Sequence, residues 1–252
     1  MLAAALAFAL AFQDPTPADK AAPQAQKEPQ APPAAVTAWD DKTAKPKLDE
    51  FTKLQKAATN LVDKNRALEV LAGGSHKSLV KPLVAIVEAD KLVVIRKRAA
   101  ELLANQPVAD ANAAVRKLLK SGKVGAYPTV QAELVKGLAR CGYDKTNWAD
   151  IAELFEREYT AERVPLQEAI LDLVAQHKEK QAIDVLLRNL DEPGPTGDIH
   201  AGNNPPAEYW EARWKAWKAF RPKVQETLFA LTGQRFTEAK EAHAWLQKNP
   251  LK

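Results

Sequence analysis

Cysteine is almost missing from this chain. Cys141 is the single one in 252 residues, which excludes an internal disulfide and any cysteine-rich metal cluster. In an Ala/Leu-rich segment, a lone cysteine reads as a small buried apolar residue rather than a nucleophile. Histidine is nearly as scarce: His76, His177, His200 and His243. None stands at i, i+4 from another, and no HExxH or zinc spacing occurs. His200 with Asp198 is a metal-like pair, but the polarity of a loop accounts for it. GxGxxG, GxxxxGK[ST] and GxSxG are absent as well. The glycine- and proline-bearing stretch 193–198 follows no strand, so it forms no phosphate cradle. Carboxylates such as Glu156 and Glu158 read as solvated residues on a charged helix. No catalytic residue, cofactor or metal ligand is therefore expected, and the chain reads as a non-enzyme.

Two further absences bear on partners. Charge of one sign does not dominate, since 36 Lys and Arg offset 32 Asp and Glu for a net +4. The cations are interspersed rather than clustered, so nucleic acid is not an expected partner. No apolar run is long enough to span a bilayer core of ~30 Å. Residues 2–12 form an unbroken apolar run of signal-peptide h-region size. Ala7-Phe8-Ala9 and Ala9-Leu10-Ala11 offer small-x-small cleavage sites, although no Lys or Arg follows Met1. Residues 1–13 thus read as a signal-like segment, and the protein as exported to the periplasm or cell envelope. Residues 14–38, with Pro15, Pro17, Pro23, Pro29, Pro32 and Pro33, hold too few large apolar residues to offset chain entropy. They read as a disordered linker.

What is plentiful is helix-forming sequence. Ala, Leu, Val, Lys and Glu dominate, and aromatics make up 7%, a bias toward helices. From Trp39 on, apolar residues recur three and four apart, as in Leu48, Phe51, Leu54 and Ala58. The same period predicts helices at 63–72, 76–88, 92–105, 109–120, 128–141, 147–158, 163–177, 179–190, 207–220, 222–231 and 237–248. Breaks fall at Gly73-Gly74, Pro107, Gly122, Gly125, Pro128, Gly142 and 193–206.

The helices come in pairs, and the pairs repeat. Ile95-Arg96 aligns with Val130-Gln131 and then with Leu166-Gln167, at steps of 35 and 36 residues. Ala104, Ala139 and Ala175 close the second helix each time. A two-helix period of this size marks an α-solenoid. Pro82 in the first helix, Asp90 in the turn, then Ile95, Arg96 and Ala99 resemble the HEAT repeat pattern. Gln131 and Gln167 depart from its arginine, and Gly125 and Ala161 from its aspartate. The resemblance covers about residues 45–190 and implies an all-α superhelix with Asp90 near Arg96 or another repeat's arginine. The end of the chain, Leu231-Thr232-Gly233-Gln234-Arg235-Phe236 with Ala244-Trp245, resembles the C-terminal cap of exported HEAT-type proteins from planctomycete-like bacteria. Residues 39–190 then form the repeats, and 191–252 a loop, a Trp-rich terminal repeat and a cap, which a solenoid needs to cover its open end.

Such a fold implies a scaffold for a protein or peptide partner. Its concave surface would expose Arg96, Lys97, Gln131, Lys136, Gln167 and Asp172. Some HEAT-like folds are DNA glycosylases or act as accessory subunits to an enzyme or chromophore; the signal-like start, the balanced charge and the lack of a reactive residue argue against both. The most unusual stretch is 209–221. There Trp210, Trp214, Trp217 and Arg221 fall on one helix face. This stripe either packs the cap or, through Trp210 and Arg213, presents hot-spot residue types to a partner. Position favours a division. Trp214 and Trp217 are expected to face the cap helix bearing Trp245, and Trp210 to lie partly open.

Overall fold

The computed structural model of the chain describes residues 36–195 and 204–251. The signal-like segment 1–13, the linker through residue 35 and the Asp198–His200 pair lie outside the described residues.

The helical period yields helices. They are α1 (Asp41–Ala57), α2 (Leu61–Glu69), α3 (Val80–Ala89), α4 (Val93–Leu103), α5 (Val108–Leu119) and α6 (Gly122–Gly125). Then come α7 (Pro128–Cys141), α8 (Trp148–Glu156), α9 (Val164–His177), α10 (Ile183–Arg188), α11 (Ala207–Thr232) and α12 (Ala239–Lys248). Local signals set many of the ends. Asp40 Oδ1 accepts the Thr43 N–H at 2.8 Å and Asn60 Oδ1 the Asp63 N–H at 3.0 Å, each satisfying an amide that the helix itself leaves unpaired. Pro128 opens α7, where its missing N–H costs nothing. Gly142 and Gly233, at φ 102° and 74°, end α7 and α11 in the left-handed conformation.

Several boundaries differ from the sequence reading: α6 stands where breaks at Gly122 and Gly125 were expected, α2 and α3 are shifted, α10 is shorter than 179–190, and two further differences have a clear physical cause. Pro222 does not divide two helices: α11 runs through it as one element of 26 residues. The apolar stripe explains why. Trp217, Phe220, Val224 and Leu228, all buried, keep helical phase across the proline, so both halves bury the same face. That packing outweighs the hydrogen bond proline removes. The other difference is at the linker's end. Thr37–Ala38 (β1) pairs in parallel with Gly74–Ser75 (β2), with Thr37 N–H donating to Gly73 O and Trp39 N–H to Ser75 O, both at 3.0 Å. Residues 37–38 are thus pinned rather than part of a disordered linker. Gly74 permits this, because a Cβ there would lie 2.2 Å from the Trp39 indole.

Helices pack on one another in series, α2 on α4, α4 on α7, α7 on α9 and α9 on α11, while α3 packs on α4, α5 on α7, α8 on α9 and α10 on α11. Ile95, Val130 and Leu166 are fully buried, as are Ala99, Leu134 and Ile170, whereas Ala104 and Ala139 are buried and Ala175 only half-buried. At Gly137 α7 comes close to the end of α4, since a Cβ there would lie 2.9 Å from the Ala104 Cβ. One continuous core runs from Phe51 to Ala242. Cys141 is buried, and burial pushes its thiol above the ordinary range. Among the described residues no helix is long and apolar enough to cross a membrane.

Candidate interaction surface

The residues placed on a concave surface by the sequence reading separate into two groups. Arg96, Gln131 and Gln167 are not exposed; they retain 4%, 0% and 0% of their accessible surface. The donors of Arg96 and Gln167 serve the framework. Arg96 donates to Glu88 O at the end of α3 and to Lys123 O at 3.1 Å, with its guanidinium 4.1 Å from the Tyr127 ring centroid. Gln167 Nε2 reaches Phe155 O at 3.2 Å and Glu158 O at 3.4 Å, at the end of α8. Each donor meets carbonyls that a helix C-terminus leaves unpaired. Gln131 stands at the same register, yet neither its Nε2 nor its Oε1 has a partner among the described residues.

Arg163, one turn before Gln167, also serves the end of α8: its Nη2 donates to Leu154 O at 2.8 Å. Burial lowers its pKa from the usual guanidinium range. Asp90 is also corrected. It pairs with Lys64 at 2.6 Å and caps Leu92 N–H at 2.8 Å rather than meeting an arginine. The remaining residues of that surface are open but quiet. Lys136 is exposed and paired with Glu133 at 2.9 Å, and Asp172 with Lys223 at 2.7 Å. Lys97 is half-buried. Such exposed pairs contribute little.

The start of α11 is different. Tyr209 is exposed, and Trp210 and Arg213 are half-buried beside it. The Tyr209 and Trp210 rings meet edge to face at 5.2 Å. Arg213 lies 4.0 Å above the Tyr159 ring centroid and donates to Tyr209 Oη at 3.3 Å. Burial raises the Tyr159 pKa, and the Arg213 charge partly opposes this. Two donors are left over: Trp210 Nε1 and Arg213 Nε are both shielded from solvent and unpaired among the described residues. Glu156 holds Arg188 through two hydrogen bonds of 2.9 Å.

The other tryptophans are structural, but not as expected. Trp217 is buried and donates from Nε1 to Asn189 O at 3.1 Å, at the end of α10. Trp245 meets Phe236 at 5.7 Å, and no ring contact joins it to Trp214 or Trp217 among the described residues. Trp214 is half-buried under Lys218. Tyr159 went unnoticed in the sequence, because nothing in residues 157–163 distinguishes a ring that lies under Arg213 from any other loop aromatic.

The histidines have mundane partners. His177 contacts Ala139 O at 2.9 Å, and His76 accepts from the Ser78 N–H. Among the described residues no group of three or more His, Cys, Asp or Glu side chains could share a metal ion. No family model, curated protein or solved structure matches the chain.

Proposed function

We propose that the protein is a non-catalytic scaffold of HEAT-type repeats, stacked as an α-solenoid, which binds a protein or peptide partner at the start of α11. The observation that carries this reading is the pair of unpaired, shielded donors on Trp210 and Arg213, set among Tyr209 and Tyr159. Shielded donors without acceptors are costly to a fold. An acceptor-rich peptide, with backbone carbonyls or a carboxylate, would relieve that cost and stack on the rings. Trp, Tyr and Arg are the residue types that concentrate binding energy. The repeat assignment is supported by the 35- and 36-residue steps and by the equal burial of corresponding positions.

Selection of peptides from a random library on the full-length protein tests the site. Selected peptides are expected to lose about tenfold or more in affinity to a Trp210→Ala, Arg213→Ala double variant whose circular dichroism is unchanged. Equal binding to the variant would place the partner surface elsewhere.

We also propose export, on the strength of the apolar run 2–12 and the small residues Ala9 and Ala11. Edman sequencing of the mature protein from its native cell should begin between about residues 9 and 14. A cytoplasmic product that keeps Met1 would contradict export.

A further inference from the structure

The first turns of five helices share one edge of the molecule. Lys64, in the first turn of α2, pairs with Asp90 in the turn before α4 at 2.6 Å, and Glu69, at the end of α2, with Arg98 further along α4 at 2.9 Å. Arg96, in the first turn of α4, lies 4.1 Å from the ring centroid of Tyr127, the residue that caps α7. Gln176, near the end of α9, donates to Ala139 O near the end of α7 at 3.0 Å. Arg213, early in α11, lies on Tyr159 in the turn before α9, and Lys178, just after α9, donates to Ala230 O near the end of α11. Thus α2, α4, α7, α9 and α11 are parallel neighbours, and their starts stand side by side.

That edge is apolar. Among the described residues nine large hydrophobic side chains are exposed, and six of them stand in the cap or first turn of these helices: Leu61, Val62, Leu92, Val94, Tyr127 and Tyr209. Single exposed apolar residues are ordinary, but a strip of them marks an interaction surface. The edge also changes sign along its length. Lys91 and Lys123 stand in the turns before α4 and α7, whereas Glu158 and Glu162 stand before α9 and Glu208 opens α11. Lys91 and Glu162 are exposed and make no ion pair among the described residues. The chain as a whole is divided in the same sense: residues 36–141 hold 19 Lys and Arg against 11 Asp and Glu, and residues 142–195 hold 6 against 12.

We propose that this edge binds a second copy of the chain, antiparallel, across a two-fold axis at the start of α7. A two-fold interface is one patch meeting itself, so the patch must complement its own rotated image. This one does. Rotation about Tyr127 lays the start of α4 on the start of α9 of the second copy, with Lys91 and Lys123 against Glu158 and Glu162. It lays Leu61 and Val62 on Tyr209 of the second copy. A parallel arrangement would set like charges together instead. Neighbouring helix axes 8–10 Å apart make the edge about 45 Å long, and a helix diameter of about 10–12 Å gives roughly 500 Å² per copy. A total of about 1,000 Å² lies at the low end for specific complexes, so the dimer is weak and reversible. The association needs no peptide and does not rest on the peptide-binding reading; a peptide at the start of α11 would compete with the second copy at Tyr209.

Sedimentation equilibrium of the full chain measures the association. A monomer–dimer equilibrium with a midpoint of about 1–100 µM is expected, weakened by added salt because exposed charges are screened. Lys91→Glu and Glu162→Lys should each raise the dissociation constant about tenfold, since each places like charges together twice in a two-fold interface. Combined in one chain, the two changes exchange the charges and should restore the dimer. A fold damaged by the single changes would not recover in this way.

Val94→Asp should weaken the dimer about tenfold or more. Val108→Asp is the control: Val108 is as exposed as Val94, but it stands at the start of α5 beside Gly142, at the far end of α7, and the change should leave association unaltered. Circular dichroism checks that each variant is folded. Three results would overturn the proposal. The first is a chain that stays monomeric up to about 0.5 mM, which would leave the edge to a peptide or another protein. The second is association lowered equally by Val108→Asp, or indifferent to Lys91→Glu and Glu162→Lys, which would mean unspecific apolar contact. The third is a double variant that dimerises no better than the single ones.

Discussion

Phe220→Ala is expected to destabilise the protein by about 3–5 kcal/mol, the range for deleting a fully buried aromatic ring. Phe220 has no accessible surface. Its ring meets Phe155 edge to face at 5.5 Å and Tyr159 at 6.2 Å, so it joins α11 to the pair formed by α8 and α9. Removing it leaves a cavity where α11 meets α8 and the loop that follows it. Thermal unfolding followed by circular dichroism should show a fall of roughly 10 °C for a domain of this size. The early part of the transition should belong to α11 and α12, because neighbouring repeats contribute separately to stability. Trp210→Ala should cost distinctly less, since that indole is half-buried. If the two variants melted together, α11 would not dock through the Phe220 face. A Phe220→Ala change within about 0.5 kcal/mol of the parent, the range of ordinary surface substitutions, would remove that docking altogether.

Ala99→Arg should be more damaging still. Ala99 is fully buried on α4, which packs against both α3 and α7. The arginine overfills a site that holds one methyl group, and it takes a charge out of water with no carboxylate to receive it. Overpacking costs about 1–3 kcal/mol, and an unpaired buried charge adds several more. The loss approaches the whole stability of an ordinary domain. Expression of unfolded protein, or a broad transition far below that of the parent, is the expected result of a urea titration. A parental unfolding midpoint would show that the 35-residue register is wrong, because that register is what places Ala99 inside. Arg96 is no precedent for tolerance. Its guanidinium is buried against two backbone carbonyls and the Tyr127 ring, partners that position 99 lacks.

Helix positions were legible because the information for them is local. The limits of α7 at 128 and 141 follow from Pro128 and Gly142, whose preferences act within a turn. The burial of Ile95, Val130 and Leu166 follows from spacing alone, since a helix places residues three and four apart on one face. Periodicity misled wherever a polar residue stood on the inner face. Arg96, Gln131 and Gln167 looked like solvent-facing polar positions between apolar ones. They are buried because the end of the neighbouring helix brings unpaired carbonyls, or nothing at all, against them.

The sequence by itself therefore determined a predominantly helical chain, the order of its main helices and the left-handed glycine stop after α11, all of which rest on interactions within a few residues. Tertiary structure alone decided that α11 continues through Pro222, that Asp90 meets Lys64 and that Arg213 lies on Tyr159. Each of these depends on a group more than twenty residues away, or on packing that sums over a whole helix face. A proline removes one hydrogen bond from a helix and crowds the carbonyl one turn back, but the buried stripe from Trp217 to Leu228 spans three turns across it. The larger burial sets the outcome, and its size is fixed only once α9 and α10 are in place.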